Sequence, residues 1–217
     1  MEVILGWVYF CGLRVAVDPG VFVPRQRTAL LVDLAAGLLP PNRAAIVLDL
    51  CCGTGALGLA LAARADIDLV AAELDPRAVA CARRNLVGIG EVFESDLFAA
   101  LPDRLRGRVD IVLANAPYVP TSDIALMPPE ARLHEPRSAL DGGGDGLAIH
   151  RRIAAEAPDW LTPGGRLLIE VAERQVIAAV EAMESAGLAA QVCRDEERDA
   201  ITIVGRRTLA EELRASD

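Results

Sequence analysis

The amino-acid sequence predicts an α/β fold, a mainly parallel sheet covered by helices on both faces. Three observations carry this reading. Short apolar runs at 46–50, 69–74 and 110–114 recur along the chain, as expected of strands buried on both faces. Helically patterned segments at 56–65, 77–86 and 147–161 alternate with them. Two closing β-prone runs, 188–193 and 200–204, are joined by a short polar connection, so one strand there runs antiparallel.

Ahead of the first buried run, residues 3–9 and 13–17 are β-prone around Cys11-Gly12 and predict a hairpin. Asp18-Pro19-Gly20 then breaks the chain. The spacing of Ala29, Leu30, Val32 and Leu34 predicts a helix over 26–39, ended by Pro40-Pro41. Pro76 suits the first turn of the 77–86 helix, and residues 91–93 make a short strand. Residues 117–146 are rich in Pro, Gly and charge without periodicity. A loop of that length is either functional or disordered. The turn Thr162-Pro163-Gly164-Gly165 introduces a strand over 166–171. A helix over 173–186 follows, and Gly187 stops it. The expected organisation is a hairpin at 1–20, one domain at 21–207 and a polar helical tail at 208–217.

The chain has 217 residues, 53% hydrophobic and 24% charged, enough to bury a substantial core and too apolar for extensive disorder. Its formal net charge of -9 repels a phosphate backbone and argues against nucleic-acid partners. Arg14, Arg25 and Arg27 lie near one another, and the ordinary reading of three such arginines is a solvated face. The five cysteines (Cys11, Cys51, Cys52, Cys81, Cys193) have no CxxC spacing, and the two histidines are His134 and His150. No metal site and no disulfide framework is expected, and reduced thiols fit a cytoplasmic protein. Neither a signal peptide nor an apolar run of ~20 residues is visible.

The first buried run ends in Asp49-Leu50-Cys51-Cys52-Gly53-Thr54-Gly55, directly before a helix. Glycines there let backbone approach a ligand closely. Such a strand–loop–helix unit binds a dinucleotide or the adenosyl part of S-adenosylmethionine. The dinucleotide fingerprint GxGxxG is not met, because Cys51 stands at its first glycine. No GK[ST] of a P-loop follows. Glu73 ends the second strand, about 20 residues on, where an acid can accept from both ribose hydroxyls of an adenosine ligand. Asp75 reads as a helix N-cap before Pro76. Asp96, after the third strand, either reaches an adenine amino group or caps a helix.

The segment Asn115-Ala116-Pro117-Tyr118 follows the fourth buried strand. In an open α/β sheet, ligands collect beyond the carboxyl ends of the strands. The Gly loop, Glu73 and this segment therefore face one crevice. An amide or exocyclic amine nitrogen is a poor nucleophile, because its lone pair is spread into a π system. A site for it holds both N–H groups on directed acceptors: the Asn115 side-chain oxygen and the Ala116 carbonyl. Tyr118 can cover the planar face, and Pro117 keeps Ala116 extended.

With these residues the chain resembles the protein-(glutamine-N5) methyltransferases that modify peptide-chain release factors, and a shorter group related to them. The marks are Phe22-Val23-Pro24-Arg25 with Thr28, the Asp49–Gly55 loop, Asp96-Leu97-Phe98 and Asn115–Tyr118. To them add Glu135-Pro136 with Ala139-Leu140 and Asp145-Gly146-Leu147, and later Glu170 and Gln175. The resemblance implies a seven-stranded, Rossmann-like class I methyltransferase fold, S-adenosylmethionine as donor and a glutamine amide as acceptor. It assigns Cys51, Cys52, Gly53, Thr54, Gly55 and Glu73 to the donor, with Asp96, Leu97 and Asn115 beside it. Asn115, Ala116, Pro117 and Tyr118 go to the acceptor, with Asn115 and Tyr118 catalytic, and Phe22, Pro24 and Arg25 close the cofactor side.

The chain departs from that family's pattern in three places. Ala116 replaces the first proline of NPPY, Cys51-Cys52 replaces Gly-Thr, and Ala172 replaces the glycine of the late EiG. The helical N-terminal domain with which bacterial release-factor methyltransferases grip substrate is not seen, so either a partner subunit supplies that surface or the substrate is something else. Alternatives are N-methylation of a small molecule, adenine methylation in nucleic acid, and a non-catalytic module that keeps the fold.

Overall fold

A computed structural model of the chain describes residues 6–129 and 135–208. The start of the first β-prone run and all but the first residue of the expected tail lie outside them. The hairpin forms from β1 (Trp7–Phe10) and β2 (Leu13–Ala16), paired antiparallel. Cys11 and Gly12 make its turn, both with positive φ.

The main sheet has seven strands. In chain order they are β3 (Ala45–Leu50), β4 (Ile67–Glu73), β5 (Gly90–Glu94), β6 (Val109–Ala114), β7 (Leu161–Glu170), β8 (Leu188–Asp195) and β9 (Ala200–Arg207). Their spatial order is β5-β4-β3-β6-β7-β9-β8. The β5-to-β7 ladders are all parallel, whereas β9 runs antiparallel to both its neighbours. The single antiparallel strand is thus the last one, inserted between β7 and β8.

Helices α1 (Ala29–Leu38), α2 (Ala56–Ala62), α3 (Pro76–Asn85), α4 (Ala148–Trp160) and α5 (Val176–Ser185) cover the sheet. Successive strand residues face opposite ways, and the core divides accordingly. Val47, Leu69, Ile111 and Leu113 pack with α1, α2 and the hairpin residues Val8 and Phe10. Leu48, Val70, Val112 and Leu167 pack with α4 and α5, where Phe98 stacks on Trp160 at 5.4 Å. Every residue of β6 is buried, which explains the consecutive apolar residues 111–114, and its one charged residue, Asp110, pairs with Arg43. Among the described residues no helix is long and apolar enough to cross a membrane.

Three expectations change. The helices over 26–39 and 173–186 each start as a 3-10 turn, Gln26–Thr28 before α1 and Glu173–Gln175 before α5. Residues 162–165 are not a turn ahead of a strand: β7 runs through them, and they bulge where the register shifts between Val109 and Ile111. The 117–146 stretch is, in its described part, folded back on itself. Val119 N–H donates to the Leu140 carbonyl at 2.9 Å, and Gly142 N–H returns a bond to the Val119 carbonyl at 2.8 Å.

Strand β3 lies between β4 and β6, so the direction of strand progression reverses there. That is where a crevice opens beyond the strand ends. Leu50 pairs with Ala114 in the β3–β6 register, which places Cys51 and Asn115 side by side at its floor.

Candidate active site

The loop after β3 turns sharply enough to need left-handed backbone at Cys51 (φ 52), Gly53 (φ 56) and Gly55 (φ 76). Gly55 N–H closes the turn on the Cys52 carbonyl at 2.7 Å, and Cys52 N–H donates to the Ala72 carbonyl of β4 at 3.1 Å. Below the turn the buried Asp49 accepts from Gly58 N–H at 3.0 Å. Its other oxygen has no partner among the described residues, and burial pushes this carboxyl up to about 7.

Glu73, at the end of β4, holds the loop from the side. Its Oε2 accepts from Gly53 N–H at 2.8 Å, and its Oε1 accepts from Leu74 N–H at 2.8 Å and Asp75 N–H at 3.0 Å. Asp75 caps α3 by accepting from Arg77 N–H at 2.9 Å, as expected.

A cavity of about 660 Å³ opens over these groups, within the size range of small-molecule and cofactor sites. It gathers Phe22, Pro24, Arg25, Cys51, Cys52, Gly53, Thr54, Glu73, Asp96, Leu97, Asn115, Ala116, Pro117 and Tyr118. Of the residues expected there from sequence, Gly55 is not on the lining. Its φ of 76 starts α2, and an added Cβ would meet Leu86 Cδ1 at 2.8 Å, so its position answers to the turn and to packing.

Asp96 does not cap a helix. The turn after it is capped by Ser95, whose Oγ accepts from Ala100 N–H at 2.9 Å. The Asp96 carboxylate pairs with Arg152 at 2.9 Å on the cavity rim. Burial raises the Cys51 and Cys52 thiols above the ordinary cysteine range, with the Glu73 and Asp49 charges adding to it. They are protonated and unreactive at neutral pH, small apolar groups on the cavity floor.

The far side of the cavity carries contacts the sequence did not show. Arg25 pairs with the buried Glu135 and stacks over Phe22 at 5.1 Å. Arg27 pairs with Glu170 at 3.2 Å and donates to the Tyr118 hydroxyl, which itself donates to Glu170 Oε1 at 3.0 Å. These two arginines are therefore each paired with a buried acid and form no unpaired basic face. The third, Arg14, stacks on Trp7 at 4.4 Å. Thr28 Oγ1 accepts from Asn115 Nδ2 at 3.4 Å.

Below Tyr118, the buried Gln175 uses both ends of its amide. Its Nε2 donates to the Tyr118 carbonyl at 2.8 Å and the Asp145 carbonyl at 3.1 Å, and its Oε1 accepts from Ala172 N–H at 3.0 Å. His150 Nε2 donates to the Glu170 carbonyl at 3.0 Å, and burial lowers its pKa to about 4. The only sequence signals for Arg27 were its charge and its place beside Thr28. Side-chain pairing between residues 143 positions apart leaves no local pattern.

With Arg25 and Arg27 each neutralised, Glu73 remains a carboxylate held by backbone N–H groups alone in the pairs above. The cavity favours a ligand with positive charge and hydroxyl donors over a phosphate.

Comparison with known proteins agrees with this geometry. The model of the family described as methyltransferase small domain matches residues 12–149. A release factor glutamine methyltransferase of Geobacter sulfurreducens is 42% identical over 175 residues, 79% of this chain and 60% of that protein. One of Deinococcus radiodurans is 38% identical over 199 residues, 90% of this chain and 70% of that protein. The chain thus spans about two thirds of the length of such relatives. Among solved structures, a Thermus thermophilus 16S rRNA N2 G1207 methyltransferase in complex with AdoMet and guanosine superposes with a TM-score of 0.64. That match is 22% identical and covers 94% of this chain and 50% of the other. The seven-stranded sheet is that of class I S-adenosylmethionine-dependent methyltransferases, and the chain belongs to the methyltransferase small domain family and to the family of release factor glutamine methyltransferases.

Proposed function

We propose that this chain is an S-adenosylmethionine-dependent N-methyltransferase whose acceptor is a glutamine side-chain amide in a protein, a peptide-chain release factor being the first candidate. The observation that carries the reading is the single cavity in which Glu73 and the Cys51–Thr54 loop face Asn115–Tyr118.

The residues suit the cofactor. Glu73 Oε2 accepts one protein bond and keeps a lone pair for a ribose hydroxyl. Leu97 and Asp96 border the position beside it, and Phe22, Pro24 and Arg25 cover it. The bound cofactor supplies an electrophilic methyl group on a positively charged sulfur.

The chain's own task is to present a nitrogen that resists attack. Asn115 Oδ1 and the Ala116 carbonyl accept the two amide N–H groups and aim the nitrogen. Both acceptors support the positive charge that grows on it as the new N–C bond forms and the methyl–sulfur bond breaks, its electron pair staying on sulfur as a neutral thioether. Ala116 in place of proline leaves that carbonyl available, and Pro117 keeps Ala116 extended. The Tyr118 ring covers the face of the planar amide. The nitrogen then gives up one proton to water, and a neutral N-methyl amide leaves.

Labelled donor offered with release factor, with a protein-free cell extract and with tRNA or duplex DNA separates the acceptor classes. Transfer to a protein glutamine supports the reading. Transfer to the extract alone moves the acceptor to a small molecule, and transfer to nucleic acid at low salt moves it to an adenine amine.

A further inference from the structure

The 3-10 turn Gln26–Thr28 touches both ends of the Asn115–Tyr118 segment. Thr28 Oγ1 meets Asn115 Nδ2 at 3.4 Å, and the adjoining Arg27 donates to the Tyr118 hydroxyl. We propose that Arg27 and Thr28 are positioning residues for the acceptor, presetting the amide of Asn115 and the ring of Tyr118 before any substrate enters. The inference rests on the reading that Asn115 and Tyr118 hold the acceptor nitrogen.

Each contact leaves one group free for the acceptor. Asn115 Nδ2 is committed to Thr28, so Oδ1 is the end of the amide left to accept an N–H. The bond is long, as catalytic hydrogen bonds often are without substrate. At Tyr118 the hydroxyl is used on both sides, donating to Glu170 Oε1 at 3.0 Å and accepting from Arg27. What remains for the acceptor is the ring, over which Arg27 also lies at 5.8 Å from the centroid.

Glu170 is a firm anchor. Its side chain is only 4% exposed, it sits at the end of β7, and its carbonyl is held by His150. Arg27 bridges it to the tyrosine by donating from Nε at 3.2 Å and from a terminal nitrogen to the hydroxyl. Burial, with the Glu170 charge, raises the Tyr118 phenol above the ordinary tyrosine range. The hydroxyl therefore stays protonated and keeps donating throughout the neutral range. Gln175 fixes the same residue through its backbone carbonyl, so side chain and main chain are tied separately.

Arg27 is 42% exposed, so replacing it does not open the core. The test uses the full chain as wild type, Arg27→Ala, Thr28→Val, Thr28→Ser, Tyr118→Phe and the Arg27→Ala/Tyr118→Phe pair. Calorimetric affinity for S-adenosylmethionine checks that each variant is folded and that its donor site is intact. With a synthetic glutamine peptide taken from a release factor, Arg27→Ala and Thr28→Val are expected to lower kcat by roughly tenfold to a hundredfold, the scale of a misplaced reactant. The acceptor KM should move by far less.

Thr28→Ser restores the rate, because it keeps the hydroxyl. The paired variant loses less than the product of the two single losses, because the Arg27–Tyr118 contact is removed by both changes.

A second readout needs no acceptor. The chain has two tyrosines, Tyr9 and Tyr118, so protein labelled with 13C at tyrosine Cζ gives two signals. Arg27→Ala is expected to shift the Tyr118 signal and leave that of Tyr9 in place. An unmoved Tyr118 signal overturns the proposal, as does a variant kcat equal to wild type. If wild type methylates no glutamine, the glutamine reading fails, and the Tyr118 signal still decides the positioning role.

Discussion

Gly53 N–H donates to Glu73 Oε2 over 2.8 Å, tying the loop after β3 to the end of β4. The same carboxylate accepts from Leu74 and Asp75 through its other oxygen. One acid thus shapes the loop after β3, and in the function proposed above its remaining lone pair takes a ribose hydroxyl of the donor. Glu73→Ala removes the charge-assisted bonds, each worth about 1.5–3 kcal/mol. Affinity for S-adenosylmethionine measured by calorimetry is expected to fall by roughly tenfold to a hundredfold. Glu73→Gln, which keeps one acceptor oxygen, should lose less. Unchanged affinity in Glu73→Ala removes the residue from the donor site.

Gly146 has φ 82, and an added Cβ would collide with the Tyr118 carbonyl oxygen and Gln175 Nε2. Gly146→Ala therefore strains the backbone and breaks the Gln175–Tyr118 hydrogen bond together. The expected loss of stability is about 2–4 kcal/mol, read by urea denaturation. Methyl transfer should drop further than stability does, because the Tyr118 segment is displaced. Gly144→Ala is the control, since nothing lies within 4 Å of its added Cβ.

Two buried groups pull stability in opposite directions with pH. His150 has its pKa lowered to about 4, so between about 4 and 6.5 the unfolded chain binds more protons than the folded one. Its contribution is complete above 6.5 and is lost as pH falls towards 4, by about 3 kcal/mol in all. Asp49 has its pKa raised from 3.8 to about 7. There the folded chain binds more protons, and its contribution is lost as pH rises from about 4 to 7. Glu135 is raised as well, by burial, and acts in the same sense as Asp49. Asp49→Asn removes the larger opposing slope. Its stability should fall between pH 7 and pH 5 more steeply than that of wild type, by chemical denaturation at both values. Equal slopes contradict the assignment of a raised pKa to Asp49.

Much of this was legible in the sequence, for physical reasons that differ by element. Strands β3 and β6 declared themselves because burial on both faces leaves consecutive apolar residues, broken only by Asp49 and Asp110. Glu73 and Asn115 could be placed at the cavity because both stand at strand ends, positions that alternation alone reveals. The Asp75 cap was readable because it is local. Long-range pairings were not. Arg25 and Arg27 resembled a solvated patch because their partners, Glu135 and Glu170, lie over 100 residues away. Asp96 and Ser95 are neighbours with similar capping chemistry, and only the fold shows that Ser95 takes the cap while Asp96 meets Arg152. Gly55 looked like part of the ligand loop because a glycine needed for a turn and one needed for a ligand read alike.

The central claim is that Asn115–Tyr118 present a glutamine amide to a methyl donor. It is tested most directly by mass spectrometry of an unmethylated bacterial release factor after incubation with this chain and isotope-labelled S-adenosylmethionine. The account predicts one labelled methyl group on one glutamine with wild type, and none with Asn115→Ala that still binds the donor. An unlabelled release factor in the presence of donor-bound wild type, or full labelling by Asn115→Ala, would contradict it.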